Sequence, residues 1–164
     1  MRNVYLLTLI VSFGAFAQTD TVVRWRGIEG VITAPGVDNP VSQIHSGAGP
    51  WTTRGGSARI NLSTGNGSFE VEGLVLNGGN GTGTPGSVTA VIGTVVCNPG
   101  GAGGVESVID TPAATLSDSG DAELSFKVNL PATCGNPRFL IRVPASGRWI
   151  ATGTKPANSF KSRY

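Results

Sequence analysis

Histidine, methionine and cysteine are almost missing from this chain, and charge is sparse. The 164 residues include one His, one Met and two Cys, and only 13% are charged. His45 and the two cysteines lack zinc-ligand spacing, so no metal is expected. The formal charge of +2 falls to +1 if Arg2 is lost with a leader. That field is too weak to steer the protein toward nucleic acid or anionic lipid. No serine lies in a Gly-x-Ser-x-Gly elbow. No segment beyond the N-terminal apolar run is long enough to anchor the chain in a bilayer. None repeats its apolar residues at helical spacing over three turns. There is no internal repeat of solenoid or propeller period. No cofactor is expected.

What the chain does have points to export. Val4 to Phe13 is apolar apart from Thr8 and Ser12, and Ala15-Phe16-Ala17 supplies a small-x-small cleavage site. Residues 1–17 are therefore expected to be a signal peptide, with cleavage after Ala17. Gln18, not Cys, follows, which argues against a lipoprotein anchor. Removing residues 1–17 from 164 leaves 147, enough for one domain with a real core. That domain is expected over 18–154, followed by a polar tail over 155–164. In an oxidising compartment Cys97 and Cys134 are expected to form one disulfide. The expected location is extracellular or periplasmic.

Glycine contributes 25 residues and proline 10, with 39% hydrophobic residues. This composition suits short strands joined by many turns rather than a disordered chain. Thr21 to Trp25 and Ile28 to Thr33 read as strands, and 35–50 as a loop. Ala58, Ile60 and Leu62 alternate with polar residues, as do Phe69 and Val71. Asn66-Gly67 marks the turn between these two runs. Gly73 reads as a bulge or bend before Leu74-Val75-Leu76, which is apolar on both parities. Val88 to Cys97 reads as a central strand, apolar on both faces. A second hairpin is expected from Ala113 across Ser117–Asp121 into Ala122–Leu130. A third is expected from Arg138–Val143 into Arg148–Thr152. About eight or nine antiparallel strands imply an all-β sandwich with one disulfide, with a barrel as the alternative.

Several segments then carry a family resemblance: Gly49-Pro50-Trp51, Val71 to Leu76, Thr84-Pro85-Gly86, Leu116 to Ala122, Leu130 to Cys134 and Trp149-Ile150-Ala151. Over about residues 45 to 153 the chain resembles an uncharacterised family of small secreted bacterial proteins. The resemblance implies a shared sandwich with the same cysteine pair. It brings no activity, ligand or catalytic residue. Gly135-Asn136-Pro137 departs from the aliphatic-rich stretch typical of such relatives.

Candidate chemistry is thin. Glu70 and Glu72 share a strand face about 7 Å apart, the separation of an inverting glycosidase pair. The simpler reading is a solvated strand face. His45 beside Ser46 suggests a hydrolase, but an oriented base and an oxyanion site are not evident. Asp118 and Asp121, with Ser117 and Ser119, offer oxygens to calcium but equally suit a tight turn. Arg24-Trp25-Arg26 and Arg54-Gly55-Gly56 resemble nucleic-acid contacts only superficially, since export and near-neutral charge argue against that use. Asn61, Asn66 and Asn80 begin glycosylation sequons, which matter only where the source glycosylates them. Trp25 and Trp149 are expected in the core. Trp51, next to Pro50 in a loop, and His45 are the candidate ligand-binding residues, since an exposed indole can stack on a sugar or a partner. The chain is expected to be a non-enzymatic module that binds an extracellular carbohydrate or protein. A small secreted hydrolase acting on glycans and a structural assembly subunit are the alternatives.

Overall fold

The computed structural model describes residues 21–155. The expected signal peptide and most of the tail lie outside them. Eleven strands occur among the described residues: β1 (Val22–Trp25), β2 (Gly27–Gly30), β3 (Trp51–Thr52), β4 (Gly55–Asn61), β5 (Asn66–Glu72), β6 (Val75–Leu76), β7 (Ala90–Cys97), β8 (Ser107–Thr115), β9 (Ala122–Lys127), β10 (Arg138–Arg142) and β11 (Trp149–Thr154). One sheet has the order β1-β4-β5-β9, the other β2-β11-β10-β7-β8, and β3 and β6 form a separate ribbon. Every strand pair is antiparallel. The all-β sandwich is as expected, with more strands because two-residue β3 and β6 count separately.

The two sheets meet through aromatic rings. Phe139 on β10 lies 5.6 Å, centroid to centroid, from both Trp25 on β1 and Phe69 on β5. Phe126 on β9 joins Phe69 at 6.4 Å. Tilted rings at these distances add stabilisation beyond their buried area. Gly93 on β7 makes room for them. A Cβ there would come within 2.9 Å of the Phe139 ring and 3.1 Å of Phe69.

The disulfide Cys97–Cys134 is present, joining the end of β7 to the segment before β10. Closing a loop of this length contributes about 4 kcal/mol through lost chain entropy in the unfolded state. Beside it, Asn98 takes a left-handed backbone conformation (φ 52°) and is almost fully buried. Its amide donates to the carbonyls of Val105 and Thr133, and its side-chain oxygen accepts from Gly135 N–H. One side chain thus ties the glycine-rich loop after β7 to the cysteine segment.

Four local expectations are corrected. The β4–β5 turn is Leu62–Gly65, not Asn66-Gly67. Asn61 Oδ1 accepts the N–H groups of Ser63 and Thr64, and Gly65 (φ +72°) closes the turn. Gly65 packs so tightly on Val128 that a Cβ would lie 1.8 Å from the Val128 carbonyl oxygen. Second, β8 runs through Pro112, N-terminal to the strand expected from Ala113. It is an edge strand, where a missing N–H is tolerated. Third, β8 and β9 are not a hairpin. The Ser117–Asp121 turn carries the chain from one sheet to the other. Fourth, Leu74-Val75-Leu76 does not extend β5 as a two-sided strand. The chain bends at Gly73 (φ +60°), and only Val75–Leu76 pairs, with Trp51–Thr52.

The outer face of the five-stranded sheet is not open. Thr94, Val96 and Leu140 occupy it at 0% exposure. Residues 31–50 bridge from one side of this sheet to the other. The His45 carbonyl accepts Trp149 N–H at β11, and Ser42 Oγ donates to Glu106 beside β8. Val41 and Ile44 from this segment belong to the packed apolar cluster.

Candidate functional site

All three tryptophans are buried, with Trp51 at 6% exposure. Trp51 is not a loop residue but half of the β3–β6 ribbon, where it pairs with Leu76. Its N–H bonds the Val31 carbonyl. No ring face is open for a sugar, so Trp51 is a core residue, the other of its two readings from the sequence. The Pro50-Trp51 pair resembled a loop tip because a two-residue strand leaves no alternation to read.

His45 is exposed and its Nδ1 pairs with Asp38. The other Asp38 oxygen accepts the Ser46 N–H at 2.8 Å and the Ser46 hydroxyl at 3.3 Å. Ser46 is fully buried and also accepts Asn39 N–H at 2.9 Å. Ser, His and Asp are therefore neighbours, but they are wired differently from a nucleophilic triad. The carboxylate holds both partners, and the hydroxyl serves the loop instead of the imidazole. The His45 and Ser46 hydrogen bonds hold the Asp38 carboxyl below the usual carboxylate range. The cluster fixes the bridging loop, and Trp149 Nε1 reinforces it by donating to Asn39 O.

The turn once considered for calcium is likewise committed. Asp121 accepts from Ser119 Oγ at 2.7 Å, Gly73 N–H at 2.8 Å and Arg54 at 3.0 Å. The Ser119 bond, then the Gly73 N–H and Arg54, lower its pKa. Among the described residues no group of three or more His, Cys, Asp or Glu is placed to hold a metal.

The outer face of the four-stranded sheet differs from all of these. Strand alternation sends Ala58, Ile60, Phe69, Val71 and Phe126 inward, so their neighbours point out. Register then places Arg24 opposite Arg59, Arg59 opposite Ser68, and Ser68 opposite Ser125. In the next outward row Ser57 faces Glu70, and Glu70 faces Glu123. Two arginines thus adjoin at the β1–β4 side and two glutamates at the β5–β9 side, where Lys127 of β9, opposite Asn66, also points outward. Like charges directly opposite each other destabilise a sheet. Nothing described relieves them. Arg59 Nε donates to Ser68 Oγ and Ser57 Oγ to Glu70, each at 3.0 Å, while Arg24 and Glu123 have no ion-pair partner among the described residues. The serines between them leave a shallow groove of about 650 Å³.

Glu70 and Glu72 do point to one face, as expected, but that face is open sheet. Alternation in the sequence shows that Arg59, Glu70 and Glu72 point outward. It does not show which strands adjoin. The Arg24–Arg59 and Glu70–Glu123 pairs were therefore missed, although Arg24 had been noticed for its neighbour Arg26.

No known family model matches the chain, and no curated protein or solved structure is significantly similar to it.

Proposed function

We propose that this chain is a secreted or envelope-associated, non-enzymatic interaction module that binds through the outer face of its four-stranded sheet. The observation that carries this reading is the in-register pairing of Arg24 with Arg59 and of Glu70 with Glu123 on an open face. Such pairs cost the free protein stability and gain counter-charges only when a partner arrives. Because both signs are present, the partner that suits them is a protein surface carrying both signs, rather than a neutral glycan. The disulfide fits an oxidising compartment. Among the described residues no helix is long and apolar enough to cross a membrane.

Amide chemical shifts during titration test the reading. The probes are a mixed Lys–Glu peptide and soluble peptidoglycan fragments. The peptide is expected to shift the amides of Arg24, Arg59, Ser68, Glu70 and Glu123 together, with the shifts lost in 0.5 M salt. Shifts confined to residues 31–50, or a response to the glycan fragments alone, would overturn it.

A further inference from the structure

We infer that the occupant of this face is a second copy of the same chain, related by a two-fold axis parallel to the strands. The inference rests on the reading above that this face binds. Its warrant is the order of charges across the sheet. The sheet runs β1-β4-β5-β9, with Arg24 and Arg59 outward on the first two strands, Glu70 and Glu72 outward on β5, and Glu123 and Lys127 outward on β9. A two-fold axis along the strand direction, lying between two facing sheets, reverses that order. It lays β1 and β4 of one copy over β9 and β5 of the other. Arg59 of each copy then faces the Glu70 strand of its mate, twice by symmetry, while Arg24 lies over β9 between Glu123 and Lys127. A closed dimer of this kind uses one patch against itself, so the patch must be self-complementary. The central strands β4 and β5 meet that condition under this axis, whereas a two-fold axis perpendicular to the strands would return arginine strands to arginine strands.

Row positions set how the charges meet. The arginine row and the glutamate row are offset by two residues along the strands, about 7 Å. Arginine and glutamate side chains span that offset diagonally. The small residues Ser57, Ser68 and Ser125 let the sheets approach between them. The diagonal neighbours Arg59 and Glu70 within one copy bond Ser68 and Ser57 instead of each other. Their charges remain available to the other copy.

Size fixes the strength. Four strands at about 4.8 Å spacing and six residues at about 3.4 Å rise outline about 400 Å² per copy. A standard interface buries about 800 Å² per partner. The dimer is therefore weak, concentration-dependent and sensitive to salt. Raising salt from 50 mM to 500 mM is expected to lower the association constant at least about tenfold.

Sedimentation velocity on the oxidised protein, from 10 μM to 1 mM, tests this with two reversal variants. Arg24→Glu/Arg59→Glu makes the face predominantly acidic, and Glu70→Arg/Glu123→Arg makes it predominantly basic. All four positions are exposed, so folding is expected to survive, and far-UV circular dichroism checks it. The wild type is expected to self-associate at 50 mM salt, each variant alone to stay monomeric, and their equimolar mixture to form a heterodimer. A monomeric wild type together with a monomeric mixture would overturn the second-copy inference. The peptide titration would still judge the binding face independently. Association that persists in both variants would place the contact elsewhere and overturn the inference as well.

Discussion

The two outer faces of this sandwich have opposite fates. On the five-stranded sheet, Thr94, Val96 and Leu140 are sealed, and residues 31–50 bridge the sheet from Trp149 to Glu106. On the four-stranded sheet, the outward residues are charged or small and lie open, with like charges side by side. One face has been converted into interior, and its polar groups are internally satisfied. Thr94 Oγ1 donates to Asp110, and Arg142 pairs with the same carboxylate at 2.8 Å. On the other face Arg24, Arg59, Glu70 and Glu123 have no ion-pair partner among the described residues. The difference teaches that a sandwich can spend one sheet on stability and leave the second for contact.

Removing the disulfide should damage the sealed side most. Cys97→Ala/Cys134→Ala is expected to cost about 4 kcal/mol in urea unfolding, because the unfolded chain regains its loop entropy. Next, Leu140→Ala is expected to cost about 2–5 kcal/mol, since its site is covered on both sides of the sheet and cannot collapse freely. The matching change on the open face, Ser125→Ala, should stay within about 0.5 kcal/mol. Equal effects at these two sites would erase the contrast between the faces. Asn98→Ala should cost about 1–3 kcal/mol by stranding the Val105 and Thr133 carbonyls and the Gly135 N–H.

Acid is expected to act on the ties rather than the sheets. Asp38, Glu106 and Asp121 are all held below their ordinary range, first by His45, Ser42 and Ser119 respectively. A depressed carboxylate contributes stability that is complete above its unfolded-state pKa and lost as pH falls through its lower folded-state value. The thermal midpoint should thus be level from pH 5 upward and decline below about pH 4. Asp121→Asn should flatten that decline in part. The smallest expected effect has the opposite sign. Glu123→Gln should stabilise the monomer by about 0.2–1 kcal/mol by relieving Glu70. If it destabilises instead, the open face is not carrying an unrelieved repulsion.

The parts of this fold legible in the sequence were those decided by local alternation and turn chemistry. Ala58 and Ile60, Phe69 and Val71, and Ala122 to Phe126 each showed a period of two, and each is a strand with that face inward. Val91 to Cys97 was apolar on both parities because β7 is covered on both faces. What was illegible was non-local. Nothing near Ser117–Asp121 distinguishes a hairpin turn from a crossing between sheets, because both need the same Gly, Asp and Ser chemistry. Whether Trp51 is exposed was not legible because its backbone partners, Val31 and Leu76, lie far along the chain. The charge pairs were invisible for the same reason, since each joins residues on different strands.

The pairing of β2 with β11 carries a last consequence, for the order of events in folding. Gly27–Gly30 finds its only ladder partner in residues 151–154, at the opposite end of the described chain. Arg26 N–H also bonds the Thr154 carbonyl at 3.0 Å. Contacts of such separation are slow to form, because the whole intervening loop must close before they reward it. β2 must wait for the last strand, whereas β1, made just before it, pairs with β4. A chain built this way completes its five-stranded sheet only after synthesis of residue 154.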